Sequence, residues 1–250
     1  MVQKNQKMQK KNKEMWLYGT HPVTAAIDNP KRTIREIWAV KSVAETLKNP
    51  KKIPVKVVVR EQIDSLVGQN AVHQGIVAKC EPLRSYMIED LICDTKKLEK
   101  ALVVILDQVS DPHNVGAILR SAAAFGAMAV IVPDANAPEE TGTLAKSASG
   151  ALEVIPLIRV ANLSRAMEML KKADFWCVGM DGYAKKEMGE DRLPQKCALV
   201  MGSEGEGMRR LTAENCDYMV KLPIARTVES LNVSNACAIA LYEWNRIYGK

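Results

Sequence analysis

The chain has 250 residues, 47% of them hydrophobic and 26% charged, an ordinary globular make-up that allows one large domain or two modest ones. No run approaches the ~18 uninterrupted apolar residues that a membrane span requires, so no membrane partner is expected. The net charge of +6 is unevenly placed: residues 1–82 carry 15 Lys/Arg against 7 Asp/Glu, whereas residues 83–250 carry 20 against 22.

That asymmetry points to a front third facing a polyanion, although lysines 4, 7, 10, 11 and 13 in a solvated tail account for it equally well. Residues 1–14 are Lys-, Gln- and Asn-rich without an apolar centre, which predicts a disordered basic arm rather than a secretory signal. The six cysteines form no C-x-x-C pair, so reduced thiols, no metal site and a cytoplasmic location are expected.

From Trp16 a small α/β unit begins. A helix is predicted through Val23, Ala26 and Ile27, a strand over Ile34–Val40 and a helix over Val43–Leu47. A strand over Val55–Val59, a helix over Ile63–Val67 and a closing strand over His73–Ala78 follow. Residues 15–82 thus make a domain of about 65 residues, near the lower size limit for folding alone. Residues 83–100 read as a polar linker.

Residues 101–250 repeat the pattern more strongly. Strands are predicted at Ala101–Leu106, Ala127–Val132, Val154–Ile158, Phe175–Gly179, Cys197–Met201 and Tyr218–Leu222. Helices are predicted between them, at Val115–Phe125, Glu139–Ser149, Leu163–Ala173, Met208–Asn215 and Val233–Tyr248. Near-continuous apolar strands alternating with helices imply an α/β fold with a mostly parallel sheet covered on both faces.

Three segments carry the chemistry, each leaving the end of a predicted strand, where α/β sheets build ligand sites. The first runs from Asp107 to Arg120. Asn114 stands where an N-cap belongs, and Arg120, six residues on, is the one cation on a helix of Ala, Ile, Leu and Ser. The second, Met201 to Met208, is glycine-rich, but its spacing matches neither nucleotide-binding loop, and Glu204 and Glu206 would repel a phosphate. It suits an uncharged or cationic ligand held by main-chain groups. The third, Thr227 to Ser234, offers Ser230, Asn232 and Ser234 with no base beside them, which rules out a serine hydrolase; Asn232 is the natural cap of the last helix.

In order and spacing these segments resemble the three motifs of the SpoU (TrmH-like) branch of the SPOUT RNA methyltransferases, over about residues 101–250. Residues 15–82 look like that family's N-terminal RNA-binding domain. Among its members, the chain is most similar to bacterial enzymes that methylate a guanosine ribose in large-subunit (23S) ribosomal RNA. The resemblance implies a C-terminal trefoil knot, a homodimer, and S-adenosylmethionine (SAM) as cofactor, with ribosomal RNA rather than DNA as partner.

By the same resemblance Asn114, Arg120, Glu204, Ser230 and Asn232 are the catalytic set, and Gly202, Leu222 and Leu231 hold the cofactor. Arg120 is then the group for activating the ribose hydroxyl, or for clamping a phosphate or the developing alkoxide. Two positions depart from the family's pattern: Arg226 where a glycine is common, and Asn235 where a small apolar residue is frequent. A transfer-RNA substrate, or a non-catalytic RNA-binding or ribosome-assembly protein, are the competing readings. The N-terminal domain disfavours the first, and the intact polar positions disfavour the second.

Overall fold

The computed structural model describes residues 14–225 and 227–249. The basic arm expected at residues 1–14 falls almost wholly outside them, as does Arg226.

The front unit contains β1 (Met15–Tyr18), α1 (Thr20–Asp28), β2 (Ile34–Ala39), α2 (Lys41–Ala44), β3 (Val55–Val57), α3 (Arg60–Val67) and β4 (Ile76–Cys80). Its sheet has the order β1-β4-β2-β3; β4 runs antiparallel to β1 and β2, and β3 parallel to β2. Strand β1 is absent from the sequence reading. Strand β4 starts at Ile76 rather than His73, because Gln74 and Gly75 turn the chain at φ 56° and 77°.

The expected linker contains a helix, α4 (Ile88–Thr95). Its Ile88 and Leu91 face inward, and Thr95 folds its hydroxyl back to the Leu91 carbonyl at 2.9 Å.

The rear unit then runs β5 (Ala101–Leu106), α5 (Pro112–Ala124), β6 (Ala129–Pro133), α6 (Gly142–Ala148), β7 (Leu157–Val160), α7 (Leu163–Lys171), β8 (Trp176–Met180) and β9 (Lys186–Glu187). It closes with β10 (Lys196–Met201), α8 (Arg210–Glu214), β11 (Tyr218–Lys221) and α9 (Val233–Tyr248). Its seven strands, in the order β7-β6-β5-β10-β8-β11-β9, are paired in parallel throughout.

Every residue of β5 and β6 is buried, as a strand covered on both faces requires. Alternate residues divide between two cores. Leu102, Val104 and Leu106 pack with Ile118 and Leu119 of α5 and Leu241 and Trp244 of α9. Val103 and Ile105 pack with Leu91 of α4 and Met167 and Leu170 of α7.

Several boundaries differ from expectation, among them the helix expected at Val43–Leu47 and found at Lys41–Ala44, and two in the rear unit have plain local reasons. Residues Ala151–Glu153 form a 3₁₀ turn that leaves Val154 76% exposed, so β7 begins at Leu157. Helix α6 starts at Gly142 because the Thr141 hydroxyl caps it by accepting from the Leu144 N–H.

The front unit has only a small cluster of its own, around Tyr18, Val58, Ile63 and Val77, and shares the rest of its core with the rear unit. Leu17, Val23, Ile27 and Ile37 belong to the same cluster as Leu102 and Ile118. Across this junction Arg32, with a fully buried side chain, forks onto Glu153 at 2.6–3.0 Å and donates its remaining nitrogen to the Glu81 carbonyl at 2.8 Å. Asn29 completes the Glu153 carboxylate at 2.8 Å.

Beside this pair, one carboxylate oxygen of Glu140 is buried with no partner among the described residues. Burial raises its carboxyl above the ordinary value, partly opposed by Arg32 and Arg159. Because the folded chain holds this proton more tightly, the associated stability is present below about pH 4.5 and is lost as pH rises through the folded value. Glu140→Gln is therefore expected to raise stability near neutral pH and flatten its decline with pH, measured as urea midpoints between about pH 4 and 8.

Candidate functional site

The first segment leaves the sheet at Leu106. Helix α5 is capped by Asp111, not Asn114: the Asp111 carboxylate accepts from the His113 N–H at 2.9 Å, and Pro112 occupies the first helical position. Asn114 therefore lies inside the first turn, and its side chain serves another purpose. Its Oδ1 accepts from Asn232 Nδ2 at 3.0 Å, across 118 residues of sequence.

The second segment leaves β10, the strand between β5 and β8. Ser203 and Gly207 exchange backbone hydrogen bonds of 3.0 and 3.1 Å, closing a small hairpin whose tip is Glu204, Gly205 and Glu206. Glycine is needed at 202, since a Cβ there would lie 2.3 Å from the Gly207 carbonyl carbon. Gly207 itself has φ 69°, the left-handed region that favours glycine. The helix that follows begins at Arg210, two residues later than its sequence suggests.

The third segment meets the other two at α9. Asn232 caps this helix as expected, accepting from the Ser234 N–H at 3.0 Å and the Ser234 hydroxyl at 2.5 Å. Its Nδ2 donates to Asn114 and, at 2.6 Å, to Glu204 Oε1. The same Glu204 oxygen accepts the Val233 N–H at 3.0 Å. A carboxylate against the positive end of a 16-residue helix is favourably placed.

The structure thus joins Asn114, Glu204 and Asn232 directly. Ser230 is exposed two residues before Asn232, and Gly202, Leu222 and Leu231 are half-buried on the loops that flank the junction. Arg120 is exposed on α5 and, among the described residues, has neither a hydrogen bond nor an ion pair.

Sequence reasoning missed Asp107 and Arg209. The Asp107 carboxylate is fully buried and bonds the Arg209 backbone and guanidinium. Its signal was an acid ending an otherwise apolar strand.

The buried and half-buried cysteines are poor nucleophiles. All are free, and burial pushes the thiols of Cys80, Cys177, Cys216 and Cys237 up to about 12.

Residues 101–242 match the model of the SpoU rRNA Methylase family. The chain belongs to that family. Residues 16–86 match a second model, RNA 2′-O ribose methyltransferase substrate binding.

Curated relatives span the whole SpoU architecture. The 23S rRNA (guanosine-2′-O-)-methyltransferase RlmB of Escherichia coli K12 is 41% identical over 234 residues, 91% of this chain and 96% of the relative. The Pseudomonas putida protein of the same name is 40% identical over 91% of this chain and 94% of its own. The fold is shared with the SpoU methyltransferase AviRb of Streptomyces viridochromogenes, solved with AdoMet. There the TM-score is 0.77 at 24% identity, covering 94% of this chain and 90% of that one.

The Asn232 junction can be tested by stability. Asn232→Ala removes a helix cap and should cost about 1 kcal/mol. Asn232→Asp keeps the cap acceptor but sets a second carboxylate against Glu204. Its deficit relative to parent in urea unfolding should be larger at pH 7 and shrink below about pH 4, where carboxylates protonate.

Proposed function

We propose that this SpoU protein transfers a methyl group from S-adenosylmethionine to a ribose 2′-hydroxyl of a guanosine in 23S ribosomal RNA. The observation that carries the proposal is the junction of three distant segments through Glu204, Asn232 and Asn114 at the carboxyl edge of a parallel sheet. Full-length similarity to RlmB proteins supports the substrate.

The residues around the second loop fit the cofactor. Glu204 and Glu206 are exposed at its tip, and Gly205 and Gly207 open main-chain groups without side chains in the way. This anionic, backbone-rich edge suits a sulfonium and an adenosine and disfavours a free phosphate. When bound, S-adenosylmethionine supplies an electrophilic methyl group. Gly202, Leu222 and Leu231 are assigned to hold it.

The chain's own residues position the acceptor. A ribose hydroxyl is a poor nucleophile until its proton leaves. Asn114, Ser230 and Asn232 offer amide and hydroxyl groups to orient it. Arg120 offers a delocalised cation with a fork of N–H donors, so its role is to bind the adjoining phosphate or stabilise alkoxide charge as it develops. The 2′-hydroxyl requirement makes RNA, not DNA, the substrate.

The front unit is assigned to RNA binding. Lys48, Lys51, Lys52, Lys56 and Arg60 are exposed around β3, and Lys56 lies 4.0 Å from the centre of the Trp38 ring. Cations beside an aromatic surface suit an RNA backbone and its bases. A unit of this kind, matching a substrate-binding model, favours ribosomal over transfer RNA, and the polar junction in the rear unit favours an enzyme over a passive binder.

Three further assignments follow. On α9, Ile239 and Tyr242 are 44% and 53% exposed beside α5, an apolar face suited to pairing with a second copy. A C-terminal trefoil knot is assigned on the family resemblance, and the insertion of β10 between the earlier strands β5 and β8, with β11 and α9 added afterwards, supports it. Action on ribosomal RNA assigns the protein to the cytoplasm, and no described helix is long and apolar enough to cross a membrane.

Arg120→Ala should lower methyl transfer to 23S RNA roughly 10²–10³-fold. Its thermal unfolding should match the parent, because the side chain is exposed. Parental activity in this variant defeats the assignment. Lys48→Glu, Lys52→Glu and Arg60→Glu together should weaken RNA binding and flatten its salt dependence by about one unit of slope per lost phosphate contact. Calorimetric affinity for S-adenosylmethionine should stay the same. Unchanged RNA affinity would remove the front unit from the interface.

A further inference from the structure

We propose that Asp107 is a positioning residue that sets the loop between Gly202 and Met208 for the cofactor. The proposal rests on the reading that this loop holds S-adenosylmethionine. Asp107 touches both stems of the loop from a neighbouring strand. Its backbone N–H donates to the Met201 carbonyl at 2.8 Å, immediately before Gly202. Its carboxylate accepts from the Arg209 backbone N–H at 2.9 Å, immediately after Met208. The Arg209 side chain adds Nε at 2.8 Å and Nη2 at 2.7 Å.

The electrostatics make this an unusual way to end a strand. Asp107 has 0% side-chain exposure and follows the apolar run Leu102–Leu106, so its charge is taken fully out of water. Such burial is costly unless the hydrogen-bonding groups are satisfied, and an apolar residue would serve stability as well or better. What an apolar residue cannot do is fix the position of residue 209. Arg209 remains 51% exposed and, without Asp107, could swing into solvent. The hydrogen bonds of the hairpin, Ser203 to Gly207, hold the loop's shape but not its placement on the sheet. Glu204 ties the tip to α9, and placement of the stems on the sheet comes from Asp107, which also begins the segment leading through Asp111 to Asn114. The cofactor loop and the Asn114 side of the site are therefore referenced to one residue.

The experiment uses the full-length chain, with S-adenosylmethionine binding followed by calorimetry and methyl transfer measured on 23S RNA. Asp107→Asn should weaken cofactor binding and raise its KM roughly tenfold, the scale of one charge-assisted hydrogen bond. At saturating cofactor kcat should stay within about twofold of the parent, and RNA affinity should not move. A purely structural role would instead lower kcat and RNA binding together with the folded fraction.

Cofactor affinity equal to the parent's in a folded Asp107→Asn protein overturns the proposal. If that variant does not fold, Arg209→Lys keeps the charge and the backbone bond but loses the two-nitrogen fork. It should still weaken cofactor binding several-fold, and parental affinity there overturns the proposal equally. Gly202→Val separates the two failures. Should it bind the cofactor as tightly as the parent, the loop is not the cofactor site and the underlying reading falls. Should it lose binding while Asp107→Asn keeps it, the Asp107 proposal alone falls.

Discussion

The organisation of this protein depends on seven strands that all run the same way. A parallel sheet buried on both faces leaves its polar chain ends only at its two edges, since every strand must return by a crossover. All loops that follow strands therefore open on one edge. The register levels them: Met201 pairs with Leu106 on one side and Met180 on the other, and Met180 pairs in turn with Val220. The ends of β5, β10, β8 and β11 thus stand at one height. Three segments far apart in sequence meet there, the third by way of residues 222–232 between β11 and α9. The Glu204 carboxylate then ties the second segment to the third, and Asn232 ties the third to the first.

Charge is sorted along the same architecture. The front unit presents lysines around β3, whereas the junction is made of amides and carboxylates. This separation suits two ligands of opposite sign. A polyanion is drawn to the front unit, where basic groups release its counterions. A loop carrying Glu204 and Glu206 suits a cationic sulfonium better than a stray phosphate. Arg120, exposed on α5, is the cation we assign to the phosphate or the developing alkoxide.

What could be read from the sequence follows from range. Strands β5 and β10 stood out because continuous apolar runs leave no other fate for six residues, and Asn232 stood out as a cap because its bond to Ser234 is local. The cap of α5 was misplaced by three residues. Asp111 followed by Pro112 already satisfied the helix start, and Asn114 drew attention only because its actual partner is 118 residues away. Strand β1 was missed because its four residues become a strand only by pairing with β4. Helix α4 was masked by its charged outer face, while Ile88 and Leu91 seal the second core. The pair Arg32–Glu153 could not be read at all, since nothing local distinguishes a charge that will be buried from one that will be solvated, and the pair Asp107–Arg209 left only the hint of an acid ending an apolar strand.

The shared core changes how the two units must work together. Had they been joined by a flexible linker, the front unit could only raise the local concentration of RNA near the site. Helix α6 prevents that freedom. On one side it packs against α5, where a Cβ on Gly116 would meet the Ser147 side chain at 2.5 Å and the Leu144 carbonyl at 2.8 Å. On the other it packs against β1, where a Cβ on Gly142 would lie 2.5 Å from the Tyr18 ring and 2.6 Å from the Trp16 carbonyl. Glycine at each contact lets the backbones approach closely enough to interlock. With Arg32 buried against Glu153 alongside, the front unit sits at a fixed offset from the turn of α5 that carries Asn114. An RNA held by the lysines of the front unit is thereby held in register with the junction, and a rigid offset of this kind can select one nucleotide rather than any ribose within reach.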